Sequence, residues 1–242
     1  MDMQNALASL EEVYGTFGEK DAVSQQEIDA AGQRLGLVLP RALQVLYRRT
    51  GRSASLHQSH DVLVLPRDLV IADGHLIFYN ENQRVCRWGI AVSSLVLDDP
   101  PVHTSYLGTS GEQWMLEAAS VTEFIRVHGS WQAVQGGLPV VGVVSGASIA
   151  GVSTSKTSKS GLGRKVREAA SQAASPFVVT KTTSAWIIQG CVLAMASDDH
   201  FGLAAREAEP FCQVAAQLGM TLDDWDYASL RERPPIRRDA QM

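Results

Sequence analysis

Residues able to do chemistry are few in this chain, and they crowd in one place. His57-Gln58-Ser59-His60-Asp61 sets two imidazoles and a carboxylate within five positions. These are zinc-ligand types, but a zinc site needs three or four such groups held in fixed positions. The stretch sits in a polar loop rather than on a helix, and no further ligand cluster follows it. It reads as an ordinary loop. Asp198-Asp199, ahead of His200 and Gly202, reads as a turn. A hydrolase serine needs a glycine-flanked elbow, and Gly151-Val152-Ser153 continues instead with Thr154-Ser155. Ser160-Gly161-Leu162-Gly163-Arg164-Lys165 lacks both the spacing and the Ser/Thr of a phosphate-cradling loop. His75, His103, His128 and His200 show no partner pattern. The expectation is a protein with no catalytic residue, cofactor or metal, and therefore not an enzyme.

The acidic residues say more. Glu81, Asp98, Asp99, Glu112 and Glu117 gather in a region of strands and loops. Such charges form turns and solvated rims; on a binding surface they steer and pair with the lysines and arginines of a basic partner. Trp88 and Trp114 are the aromatic anchors such a surface would use, although tryptophan is more often core than contact. These seven residues are the candidate partner-binding set. The chain carries a net charge of −5. Six basic residues and one acid between Ser153 and Thr183 give that segment +5, which leaves −10 on the remainder. An acidic body with one basic segment does not fit direct nucleic-acid binding, where a basic stripe dominates. It fits a basic protein.

The three cysteines, Cys86, Cys191 and Cys212, are odd in number and lack metal-site spacing, so they read as buried thiols in a reducing compartment. The start, Met1 to Leu10, is no signal peptide. The longest apolar run, Leu138 to Val152, is interrupted by Gly142, Gly146 and Gly151 and falls short of the ~20 residues a membrane helix needs. A cytoplasmic address without membrane contact is expected.

Periodicity supplies the elements that position these residues. Leu7, Leu10, Val13 and Tyr14 predict a first helix. Ser24-Gln25-Gln26-Glu27 has the form of a capping box, opening a helix that Gly36 ends. Leu39-Pro40 starts another, which buries Leu43, Leu46 and Tyr47 and closes at Gly51. From His57 the period becomes strand-like, with apolar runs at 62–65, 76–79 and 84–88 and a hairpin loop at Asn80-Glu81-Asn82-Gln83. Paired prolines at Pro100-Pro101 end pairing, a strand carries Trp114 and Leu116, and a helix follows Ser120. Beyond Gly136 the Gly/Ser/Thr/Lys content predicts a flexible insertion over 136–175, with a short basic helix near Arg164. Strands at 177–180, 185–188 and 192–195 and a helix over about 204–218 come next.

Taken together, the capped helix, Leu39-Pro40, the second helix with Gly51, the Trp88-Gly89 step, Asp99-Pro100-Pro101-Val102 and the helix after the last strand resemble the SUKH superfamily of the Smi/Knr type. The resemblance covers about residues 24–128. It implies a SUKH-like α+β fold, a mostly antiparallel sheet flanked by helices. It also implies an immunity protein that binds and neutralises a cognate, basic bacterial toxin by occluding its active or substrate-binding surface. The alternative is a non-catalytic regulatory scaffold that binds a cellular protein. The expected organisation is a SUKH-like core over 1–135, the insertion over 136–175, a hairpin and helix over 176–230 completing the same domain, and a tail over 231–242.

Overall fold

The computed structural model describes residues 1–106, 113–145 and 161–231. Glu112, Gly151-Val152-Ser153, the stretch Ser153–Ser160 and the tail beyond Arg231 lie outside the described residues. The fold is α+β, with antiparallel sheets flanked by helices. The chain divides into two compact units, Met1–Gly137 and Leu138–Met242.

In the first unit, α1 (Met3–Tyr14) is capped by the Asp2 carboxylate, which accepts from the Asn5 N–H, and it buries Leu7, Leu10 and Val13. Burying each of these side chains stabilises the fold by roughly 1.5–3 kcal/mol. α2 (Gln25–Leu35) begins with the full capping box: Ser24 Oγ accepts from the Glu27 N–H, and the Glu27 carboxylate accepts from the Ser24 N–H. The Arg52 guanidinium, followed by the Ser24 contacts, holds the Glu27 carboxyl below its ordinary pKa. Gly36, in the left-handed region at φ 68°, stops the helix. α3 (Arg41–Thr50) follows Pro40, and α4 (Ala54–His57) is a single turn.

The sheet then meanders. β1 (Val62–Leu63) and β2 (Val70–Ala72) pair with opposite ends of β3 (His75–Asn80), and the order continues through β4 (Cys86–Ala91), β5 (Val102–Tyr106) and β6 (Trp114–Ala118). A bulge between Ile77 and Tyr79 turns both Phe78 and Tyr79 inward onto Phe124 of α5 (Val121–Gln132). β5 follows the prolines directly and pairs on both sides, so Pro100-Pro101 marks the entrance to a strand rather than the end of pairing.

The second unit has a sheet of its own, and this corrects the expected organisation. Residues 176–230 do not extend the first sheet; their strands lie in a six-stranded sheet with β7 (Val140–Ser145), drawn from the segment expected to be a flexible insertion. β8 (Val178–Val179), β9 (Ser184–Ile188), β10 (Cys191–Met195), β11 (His200–Ala205) and β12 (Tyr227–Ala228) complete it in the order β12-β7-β11-β10-β9-β8. α6 (Leu162–Ala173) and α7 (Ala208–Gln217) bury Val166, Ala170, Phe211 and Val214 with Trp186, Leu193, Phe201 and Leu203 from one sheet face. The glycine content of β7 serves packing. A Cβ on Gly142 would stand 2.6 Å from the Trp225 ring and 2.9 Å from that of Phe211. The helix expected from Ala204 starts at Ala208, because Phe201, Leu203 and Ala205 alternate into the core as a strand. Among the described residues, no helix is long and apolar enough to cross a membrane.

Candidate protein-binding surface

The His57–Asp61 stretch is a clamped loop that faces inward. Gln132, at the end of α5, uses its whole amide there: Oε1 accepts from Ser59 Oγ at 2.6 Å and the His60 N–H at 2.7 Å. Its Nε2 donates to the Asp61 carbonyl at 2.5 Å and to Tyr79 Oη at 3.1 Å. His57 is buried between Thr50 and Tyr79. Asp61 lies against His60, with Nδ1 at 3.1 Å, and against His128, with Nδ1 at 3.5 Å. Among the described residues, no group of three or more His, Cys, Asp or Glu side chains could hold a metal ion. Gln132→Leu leaves the buried backbone partners unsatisfied and should cost about 3 kcal/mol in urea unfolding. A loss under about 1 kcal/mol would show that water replaces the amide.

The acidic candidates divide between structure and surface. The Glu81 carboxylate accepts from the Gln83 and Val85 N–H groups and shapes the β3–β4 turn. Asp99 Oδ1 accepts from the Thr122 N–H and caps α5, where the Pro100 carbonyl also receives the Val121 N–H. The Asp98 carbonyl takes the Ala42 N–H at the start of α3, which leaves its side chain exposed. Glu117 is exposed at a bulge in β6. Trp88 is interior, 7% exposed and packed on Tyr79, Phe124 and His128, so it cannot serve as an anchor. Burial, then Glu81 and Asp61, pushes the Cys86 thiol up to about 11, and burial alone does the same to Cys191. Neither is a thiolate at neutral pH. Cys212, expected to be buried, is exposed.

Trp114 lies on the other side of the sheet. Register sets Val70, Ile77, Gly89, His103 and Leu116 side by side across five strands, on the face turned away from Phe124. The Trp114 indole crosses this row and stacks on the His75 ring at 3.9 Å, while His103 meets His75 edge-on at 5.3 Å. Gly89 leaves room for the indole, since a Cβ there would meet His75 Cβ at 3.0 Å and Trp114 Cη2 at 3.1 Å. Arg87 sits 5.5 Å from the indole centroid and pairs with Asp73 at 2.6 Å. Burial, then His75, holds the His103 imidazole below its ordinary pKa, so it is neutral at physiological pH. Trp114 Nε1, His103 Nδ1 and Ser105 Oγ are buried here without hydrogen-bond partners among the described residues, and native proteins rarely leave such groups unpaired. Leu116 is 67% exposed at one end of the row and Val70 50% at the other.

Of the seven candidates, then, the structure leaves Trp114 on this face, Glu117 exposed at the β6 bulge, and Asp98 on a separate loop. His75, Gly89 and His103 had no role in the sequence reading. The available signal was Gly89 itself, a glycine inside a strand that marks close approach. Comparison of the chain with family models, with curated proteins and with solved structures finds no match.

Proposed function

We propose that the chain is a SUKH-like immunity protein that binds a cognate bacterial toxin in the cytoplasm and neutralises it by covering its active or substrate-binding surface. The observation that carries this reading is the pre-ordered aromatic face of the first sheet. Trp114 is already stacked and seated in the Gly89 socket, so docking loses little side-chain entropy. The unit that bears it has sixteen acidic and ten basic residues, net −6, which attracts a basic partner from a distance. The order of elements in that unit, capped helix, helix after Leu39-Pro40, meander and closing helix, is the order on which the SUKH resemblance rests.

The test is co-expression with a toxin encoded beside its gene. Wild type should restore growth, and Leu116→Asp should bind the purified toxin about 30-fold more weakly, as expected for a contact worth about 2 kcal/mol. Absence of rescue would refute the immunity role. Rescue and binding unaffected by Leu116→Asp would move the docking surface elsewhere.

A further inference from the structure

Two imidazoles support Trp114 on the first sheet. The His75 ring stacks on the indole at 3.9 Å, and His103 meets His75 edge-on at 5.3 Å. Their surroundings differ. His75 is half-buried, and its Nδ1–H donates to the Asp73 carbonyl at 2.9 Å, which leaves Nε2 as the nitrogen able to take a proton. His103 Nδ1 is buried without a partner among the described residues, so a charged His103 ring would bury an unpaired N–H. A proton entering this pair therefore settles on His75.

The charges around His75 leave that proton unmatched. The turn between β2 and β3 brings Asp73, whose carboxylate is already paired with Arg87 of β4 at 2.6 Å. Arg87 stands 5.5 Å from the indole centroid. β5 brings His103, and β6 brings Glu117, three residues beyond Trp114 at the bulge. Asp73 and Arg87 offset each other, so protonated His75 sets a positive charge against the anchor that meets a basic partner. We propose that the aromatic face is gated by protons: His75 is neutral when the partner is docked, and its protonation releases that partner. The gate rests on the proposed function, because it acts on the same surface. It is reciprocal, since a partner that the proton expels also expels the proton.

Calorimetry of the full chain with the purified toxin encoded beside its gene tests this at pH 7.5 and 5.5, the span over which an imidazole changes charge. Wild-type affinity should fall about tenfold, the size of one like-charge contact at a partly desolvated surface. Binding at an intermediate pH should release protons to the buffer. His75→Gln should bind more weakly at pH 7.5, because the stack is lost, and should lack both the tenfold fall and the proton release. His75→Phe, which retains a ring for the indole, should lack them too. Toxin groups that titrate act on every variant alike and cancel in the comparison. His103→Gln should keep the gate. A fall with pH as steep in His75→Phe or His75→Gln as in wild type, or a gate lost in His103→Gln alone, overturns the proposal and leaves the proposed function standing. Absence of binding at pH 7.5 refutes the function and the gate together.

Discussion

Gly163→Ala should destabilise the second unit by at least about 3 kcal/mol, the largest single effect expected anywhere in the chain. A Cβ at this position would lie 1.8 Å from the Asp198 carbonyl oxygen, 2.4 Å from its carbon and 2.5 Å from its Cα. All three are backbone atoms, so no rotamer change relieves the clash. The first turn of α6 must instead lift away from the β10–β11 turn. That movement opens the seam where Val166 and Ala170 are fully buried, and it pulls Arg167 from Asp198, which it meets at 3.2 Å. The exposed ion pair contributes little; most of the loss is packing. Urea unfolding followed by tryptophan fluorescence, with Trp186 and Trp225 in the same core, measures it. Ser171→Ala, exposed on the same helix, is the control and should change stability by less than about 0.5 kcal/mol. If Gly163→Ala is as stable as that control, α6 does not pack as described.

Local chemistry carried much of the first unit. The Ser24–Glu27 box, the Gly36 stop and the helix after Pro40 are decided within a few residues, and each stands where the sequence puts it. Leu35-Gly36 and Leu218-Gly219 end their helices by one local device. At both, a left-handed glycine ends a helix and the following N–H closes back onto it, Leu37 to Gly32 and Met220 to Ala215. What escaped depended on partners distant in sequence. β7 read as flexible because its glycines and the small residues after them promise little burial. Its burial comes from Trp225 and Phe211, more than sixty residues away, which occupy the space that Gly142 leaves. Asp99 was misread for a related reason. An aspartate before two prolines resembles a surface charge in sequence, but the Asp99 carboxylate is committed to the Thr122 N–H of α5. The outward aromatic face was only half legible, since the stack of Trp114 on His75 joins the two strands flanking the β4–β5 pair.

Acid should weaken the first unit well before its carboxylates titrate, and His57 should be the principal cause. Burial pushes this imidazole down to about 3. The hydrogen bonds around it explain why no proton is welcome. Thr50 Oγ1 donates to the Leu46 carbonyl, so it accepts from His57 Nε2–H at 3.0 Å. Nδ1 is then the acceptor and faces Tyr79 Oη at 3.3 Å, which itself accepts from Gln132. Protonating Nδ1 would set a second donor against the tyrosine hydroxyl in a fully buried site. In the unfolded chain the same imidazole takes up its proton near 6.5. As pH falls below that value the unfolded state gains a proton that the native state refuses, and stability declines by about 1.4 kcal/mol per pH unit until about pH 3. His103, also held low, adds to the decline in the same direction. Glu27 contributes only at lower pH, where its carboxylate begins to be lost. Between pH 6.5 and 4.5 the wild type should therefore lose about 2–3 kcal/mol through His57 alone. His57→Gln should be less stable than wild type at pH 7.5, yet its stability should fall with pH by about one proton's slope less. Urea midpoints at pH 7.5, 6.5, 5.5 and 4.5 measure both slopes, and parallel lines for the two proteins would remove His57 from the account.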